Sequence, residues 1–181
     1  MIPVFRPSIG EEEIAAVAEV LRSGWLGLGP KTAAFEEAFA ARMGARFAVG
    51  TNSGTAALHL ALAGLGIGPG DEVIVPTLTF VSTAHVVRYL GAVPVFADVE
   101  EETLCLDPAD VRRKLSPSTR AIVPVHYGGH PCDLKRLHAI AAERNLLVVE
   151  LCPFGHRQSQ PVTVNRWVSI VGRHIELEVR R

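Results

Sequence analysis

Residues 49–62 read VGTNSGTAALHLAL and pass from a strand-like segment, through a small polar turn, into a long apolar helix. Ser53, Gly54 and Thr55 stand where that helix begins. A helix start offers unpaired backbone N–H groups and a partial positive charge, and a glycine lets an anion approach the backbone closely. The turn is therefore either an ordinary N-cap before a core helix or a phosphate-binding site.

Around this turn, short runs of apolar, β-branched residues alternate with helical patterns. The strand candidates are residues 47–50, 72–76, 93–98, 121–126 and 146–150. Runs such as VIVP and LLVVE are apolar throughout, which is typical of strands buried on both faces of a parallel sheet. We predict an α/β fold with a mostly parallel sheet flanked by helices on both faces. Ligands of such sheets bind beyond the carboxyl ends of the strands.

The predicted helices carry their own start and stop signals. Ser8 and Glu11 form the pattern of a capping box, and Asp107 and Asp133 are each placed to cap a later helix. Gly44 is expected to end the helix that presents Phe35, Phe39 and Met43. The segment GIGPG at 66–70 follows a helix and precedes a strand, which is the reverse of a dinucleotide-binding loop, so we predict a turn there.

Composition excludes several functional classes. The chain has 181 residues, of which 48% are hydrophobic and 20% charged, as expected for one globular domain. Its net charge of -1 gives no indication of a nucleic-acid or acidic-membrane partner. No apolar run reaches transmembrane length, and the N-terminus lacks a secretory apolar region. Three cysteines without a CxxC motif favour reduced thiols and a cytoplasmic location.

Six segments in order resemble the DegT/DnrJ/StrS family of pyridoxal-phosphate-dependent sugar aminotransferases. They are RPSIGEEEI at 6–14, SGWLGLGP at 23–30, SGTAALHLAL at 53–62, GIGPGDEVIVPTLTFVSTAHVV at 66–87, PVFADVEEETLCLDP at 94–108 and AIVPVHYGGHPCDL at 121–134. The resemblance runs from about residue 2 to residue 150. It implies that residues 1–150 are the N-terminal part of the large, pyridoxal-phosphate-binding domain of a fold type I transferase, here truncated.

The resemblance implies site residues as well. Ser53, Gly54 and Thr55 would hold the cofactor phosphate, in agreement with the helix-start argument. Phe80 would stack on the pyridine ring, although a plain core role is the alternative. Trp25 and His126 would line the substrate side. The family transfers an amino group, usually from glutamate, to a nucleotide-linked keto-sugar and shares its sites across a homodimer.

The remaining histidines give weaker signals. His126, His130 and Cys132 occur in one loop, but a fourth ligand at the usual spacing is missing. We therefore prefer loop lining beside the cofactor to a metal site. His59 and His138 are predicted to lie on helices, as surface or helix-face residues.

The chain departs from the family pattern at two essential positions. Leu151 stands where the family has the aspartate that binds the pyridine nitrogen, and the neighbouring Glu150 should point to the opposite face of its strand. The lysines, Lys31, Lys114 and Lys135, do not lie in a segment of the family's Schiff-base type. No catalytic residue is assigned, and we predict a catalytically incomplete chain.

Residues 151–181 do not resemble the family. Either the reading frame shifts near Glu150 or the chain is a natural short protein with a replacement tail, and the abrupt change favours the shift. The runs VSIVG and IELEV predict a poorly packed hairpin at the sheet edge. We consider two functions. The first is an aminotransferase by descent, and the alternative is a non-catalytic fragment or a subunit that pairs with a full-length homologue. A generic nucleotide-binding domain is disfavoured, because no glycine fingerprint is present.

Overall fold

A computed structural model describes residues 7–152, 166–171 and 174–179 of the chain. The chain divides into two compact units, Met1–Phe35 and Glu36–Arg181. The first contains helix α1 (Glu11–Ser23), and helix α2 (Pro30–Met43) crosses the division. The N-cap of α1 is Gly10, whose N–H donates to the Glu13 carboxylate at 2.7 Å. The predicted capping box of Ser8 and Glu11 is therefore wrong by two residues.

The second unit alternates strands and helices. Its strands are β1 (Ala48–Gly50), β2 (Glu72–Pro76), β3 (Val93–Ala97), β4 (Thr119–Ile122), β5 (Leu147–Cys152), β6 (Arg166–Val171) and β7 (His174–Val179). Its complete helices are α3 (Gly54–Gly64), α4 (Ser82–Tyr89), α5 (Pro108–Lys114) and α6 (Leu134–Arg144). The predicted turn at 66–70 lies between α3 and β2, as expected.

One seven-stranded sheet has the order β3-β2-β4-β5-β6-β7-β1. β2 pairs in parallel with β3 and β4, β4 with β5, and β5 with β6. β7 runs antiparallel to both of its neighbours, so β1 points in the same direction as the other strands. The predicted mostly parallel sheet is confirmed.

Helices cover both faces of the sheet, as predicted. On one face, α3 and α4 bury Leu58, Leu62 and Val86 against inward residues of β2, β4 and β5. On the other face, α5 and α6 bury Val111 and Leu137 against a second set of strand residues. Alternate residues of β5 enter the two cores, which explains why its sequence is apolar throughout.

Helix starts are predicted correctly where an aspartate side chain caps the helix. Asp107 accepts the N–H of Ala109 at 2.8 Å, and Asp133 accepts the N–H of Arg136 at 3.0 Å. Both predicted N-caps are confirmed. Gly44, with a φ of 70°, follows the last residue of α2, as predicted.

The tail hairpin forms, but not where the sequence suggested. β6 and β7 pair with Arg166 opposite Val179 and Val171 opposite His174. Because β6 also pairs with β5 and β7 with β1, the hairpin lies within the sheet. The predicted position at the sheet edge is wrong.

Candidate functional site

The carboxyl ends of the parallel strands bring several predicted site residues to one edge of the sheet. The Ser53 turn follows β1, Phe80 follows β2, and His126 follows β4. Leu151 lies at the end of β5, where its N–H donates to Pro124 O and its carbonyl accepts the N–H of His126, both at 2.9 Å. This is the edge at which α/β sheets bind ligands. Trp25 belongs to the first unit and is described separately.

Ser53 is the N-cap of α3. Its backbone is extended, and its Oγ accepts the N–H of Ala56 at 3.1 Å. Thr51 Oγ1 donates to the carbonyl of Ser53 at 3.1 Å, which fixes the turn from its other side. Helix geometry leaves the amides of Gly54 and Thr55 without an acceptor inside α3. The turn thus combines amide donors, two hydroxyl groups and the positive end of the helix dipole, which suits an anion such as a phosphate.

Phe80 lies in the turn between β2 and α4 with 73% of its surface exposed. Its carbonyl accepts the N–H of Thr83 at 3.0 Å, and the hydroxyls of Thr79 and Thr83 are 2.8 Å apart. These bonds hold the turn while leaving the ring open to solvent. The alternative of a plain core role is therefore wrong, and stacking on a ligand stays a prediction.

His126 is turned toward the protein interior, with 2% of its surface exposed. Its Nδ1 accepts the N–H of Cys132 at 3.0 Å, so the ring proton resides on Nε2. Nε2 lies 3.6 Å from Glu150 Oε2. Because the ring is buried, His126 could affect a substrate only by positioning the loop after β4. Its predicted role on the substrate side remains a prediction.

His138 lies on the buried face of α6, so of the two predicted alternatives the helix-face position is confirmed and the surface position is wrong. Its Nε2 lies 3.4 Å from Glu150 Oε1, on the side of the sheet covered by α6. The sequence contained the signal, because Leu134, Leu137 and Ala141 share the helical face of residue 138 and are buried with it. A histidine inside an apolar stripe needs a buried partner, and Glu150 supplies it.

Glu150 is a buried carboxylate between these two histidines. Burial by itself raises the pKa of Glu150, but the neighbouring imidazole N–H groups of His126 and His138 outweigh it and lower the pKa to about 2. The carboxylate is thus charged at neutral pH and joins β5, α6 and the loop after β4.

Leu151 points away from Glu150, as predicted from strand alternation. It packs in the core cluster of the α3 face together with Val125 and Val149. The Glu150 carboxylate faces α6 on the other side of the sheet. The α3 face of the sheet is consequently apolar at the end of β5. A phosphate and a flat ring fit the residues present, whereas a charged ring nitrogen would have no acid at position 151.

Lys114 and Lys135 lie on helices of the other face of the sheet, and Lys31 lies in the other unit. Lys114 ends α5 and Lys135 is in the first turn of α6, and both helices cover the face opposite to α3. Lys31 belongs to the first unit, where its Nζ lies 3.1 Å from Glu19. Within the second unit, neither Lys114 nor Lys135 therefore lies on the α3 face.

The Trp25 loop has a fixed shape of its own. Trp25 is 60% exposed, and its Nε1 donates to the carbonyl of Leu28 at 2.8 Å. A Cβ at Gly29 would lie 2.0 Å from that nitrogen, so the indole needs a glycine there. The loop borders a cavity of about 310 Å³ whose lining includes Glu19 and Lys31. The predicted substrate-side role of Trp25 remains a prediction.

In residues 7–152 and the two tail strands, none of the helices has the length and apolar character needed to span a bilayer. Within the same residues, no three histidine, cysteine or acidic side chains are arranged to hold a metal ion.

Comparison with known proteins agrees with this geometry. A profile of the DegT/DnrJ/EryC1/StrS aminotransferase family matches residues 7–159. The spore coat polysaccharide biosynthesis protein SpsC of Bacillus subtilis is 52% identical over 149 residues, which are 82% of this chain and 38% of that protein. The chain therefore spans about two fifths of the length of this curated relative.

Solved structures share the fold at similar partial coverage. DesV of S. venezuelae has 43% identity and a TM-score of 0.80, over 87% of this chain and 43% of that one. Spr1654 of Streptococcus pneumoniae, in its PMP form, has 28% identity and a TM-score of 0.88 over 99% of this chain and 53% of that one.

Proposed function

Because this chain belongs to the DegT/DnrJ/EryC1/StrS aminotransferase family, we propose that it binds the phosphate of pyridoxal phosphate at the start of α3. Ser53, Gly54 and Thr55 would hold the phosphate, and Phe80 would cover one face of the ring. The observation that carries the proposal is the Ser53 cap, which presents the open end of α3 at the carboxyl edge of the sheet. The exposed ring of Phe80 at the same edge supports it.

We further propose that the reaction class is transfer of an amino group from a donor, glutamate, to a nucleotide-linked keto-sugar. The cofactor, when bound, supplies the electron sink for such a transfer. The relative SpsC is named for polysaccharide biosynthesis, which supports a sugar substrate. The family resemblance also supports a cytoplasmic homodimer.

The chain of 181 residues would be catalytically incomplete. Leu151 gives an apolar contact where the ring nitrogen needs an acid, and Lys114 and Lys135 lie across the sheet. The residues of this chain would anchor the cofactor phosphate and orient its ring. We also propose that residues 1–150 form the family part and residues 151–181 a tail of different origin. Sequencing the encoding DNA beyond codon 150 in all three frames tests this division.

Replacing Ser53 with alanine should weaken pyridoxal phosphate binding about 10- to 150-fold, because a hydrogen bond to a charged group is worth about 1.5–3 kcal/mol. Titration followed by the absorbance of the cofactor measures the affinity. Inorganic phosphate should compete with the cofactor in the same titration. Ser53→Thr, which keeps the hydroxyl, should retain most of the binding.

Ser118→Ala is the matched control, since Ser118 is an exposed serine at the amino-terminal edge of the sheet, just before β4. Equal affinities for wild type, Ser53→Ala and Ser118→Ala would contradict the proposed anchor. Borohydride treatment of the loaded protein tests incompleteness separately. A lysine that becomes permanently labelled at the site would show that the chain has a catalytic lysine.

The alternative function, a non-catalytic subunit that pairs with a full-length homologue, is favoured by one observation. Ile14, Val17 and Leu21 form an apolar stripe along α1, and all three are exposed. Co-expression with a tagged full-length relative should then retain this chain on the resin. Val17→Asp should abolish that retention without affecting cofactor binding. Failure of the wild-type chain to co-purify would exclude the alternative.

A further inference from the structure

Two buried cysteines from different loops meet beneath the loop that follows β4. Cys105 lies in the connection between β3 and α5, and Cys132 lies just before α6. They are 1% and 6% exposed and belong to the same core cluster. Neither thiol has a part in the proposed cofactor site, and both are reduced in this structure.

Backbone carbonyls of the loop after β4 hold both sulfurs in place. Cys105 Sγ donates to the carbonyl of His130 at 3.3 Å, and Cys132 Sγ donates to the carbonyl of Val125 at 3.2 Å. His126 Nδ1 accepts the N–H of Cys132 at 3.0 Å, so the backbone of Cys132 is fixed as well. The Cys105 sulfur therefore lies against the loop that carries Cys132, which comes two residues after His130.

We propose that Cys105 and Cys132 are a redox pair that hydrogen peroxide converts to a disulfide. The bond would tie the β3–α5 connection to the loop between β4 and α6. That loop carries Tyr127 at the carboxyl edge of the sheet, so the redox state of the pair would set how freely this side of the edge moves.

The chemistry requires one peroxide molecule for each pair. The Cys105 thiolate attacks a peroxide oxygen, the O–O bond breaks, and the departing hydroxide takes up the thiol proton to leave a sulfenic acid and water. The Cys132 sulfur then attacks the Cys105 sulfur, the S–O bond breaks, and the hydroxyl leaves as water with the Cys132 proton. The two sulfurs lose two electrons, and the peroxide is reduced to two waters.

The electrostatics of the pair assign these roles. Interaction with Cys132 lowers the pKa of the Cys105 thiol, and the N–H of Tyr127 acts in the same direction against burial. Interaction with Cys105, together with burial, raises the pKa of Cys132. The first proton therefore leaves Cys105, which makes it the attacking thiolate and Cys132 the resolving thiol.

A thiol count on the full chain tests the pair. Reduced protein is treated with hydrogen peroxide, quenched with catalase, denatured and alkylated with iodoacetamide before intact-mass measurement. Untreated protein should take up three alkyl groups, one on each cysteine, and oxidised protein only one. Peptide mapping should then find Cys105 joined to Cys132 and the alkyl group on Cys152, and dithiothreitol should restore all the thiols.

Cys152→Ala is the matched control, because Cys152 is also buried but lies on β5. It should still lose two thiols to peroxide, whereas Cys105→Ala and Cys132→Ala should lose none to an intramolecular disulfide. Circular dichroism checks that each variant folds. If a variant does not fold, the peptide map of the oxidised wild-type protein still shows whether Cys105 is joined to Cys132. Full alkylation after peroxide, a bond that includes Cys152, or covalent dimers alone would overturn the proposal.

Discussion

Replacing Glu150 with alanine is expected to lower the free energy of unfolding by about 3–5 kcal/mol, because it removes one partner from a buried set of charged and polar groups. His126 Nε2 and His138 Nε2 would then face a site without an acceptor. The loop after β4 would also lose its link to β5. Urea denaturation at pH 7, followed by circular dichroism, measures the change.

Glu143→Ala is the control for removal of a glutamate. Glu143 makes a two-pronged salt bridge with Arg112, with distances of 2.7 and 2.8 Å, but both side chains are exposed. Exposed salt bridges contribute little to stability, so the urea midpoint should barely move. Equal midpoint shifts for Glu150→Ala and Glu143→Ala would show that the buried network is not important for stability.

Lowering the pH should weaken the stabilisation provided by Glu150 and its two histidine neighbours. The pKa of Glu150 is lowered to about 2 from an ordinary value of 4.5, so the carboxylate binds its proton less readily in the folded chain. The contribution of the Glu150 carboxylate to the free energy of unfolding is then fully present above about pH 4.5 and is lost as the pH falls toward 2. A lowering of the pKa by this amount corresponds to about 3 kcal/mol. Urea midpoints measured between pH 7 and pH 3 should fall more steeply for wild type than for Glu150→Gln. Parallel curves would contradict the lowered pKa.

The parts of the fold that the sequence predicted are those with local causes. Continuous apolar runs are found in strands that are buried on both faces, as in residues 72–76, and this follows from neighbouring residues alone. Asp107 and Asp133 cap helices within three residues of themselves. The Ser53 turn was likewise identified because its hydroxyl and the helix that it caps are adjacent in the chain.

The errors arose where the cause is distant in sequence. The tail hairpin depends on which strands are left without a partner, and β5 and β1 are almost 100 residues apart in the chain. The buried partner of His138 could not be identified from its own helix, because Glu150 comes from a different element. At the start of α1 the two alternatives are close in sequence: Ser8 could pair with Glu11, or Gly10 with Glu13. The backbone adopts the second arrangement.

Replacing Leu151 with aspartate tests the other end of the candidate site. In the ligand-free protein we expect a loss of about 3 kcal/mol or more, because the carboxylate would be placed among apolar side chains without a partner. Leu151 is buried with Val125 and Val149 on the α3 face, and the Glu150 histidines lie on the opposite face, so they cannot compensate. Thermal denaturation measures the loss.

Pyridoxal phosphate should recover part of that loss, because its protonated ring nitrogen would pair with the new carboxylate. The rise in melting temperature on adding the cofactor should therefore be larger for Leu151→Asp than for wild type. Leu151→Asn has a similar shape without the charge, so it should be destabilised but show no extra rise. Combining Leu151→Asp with Ser53→Ala should remove most of the rise, since the phosphate anchor would be weakened. If the cofactor raises the melting temperatures of Leu151→Asp and Leu151→Asn equally, then position 151 does not face the ring nitrogen, and the orientation proposed for the cofactor is wrong.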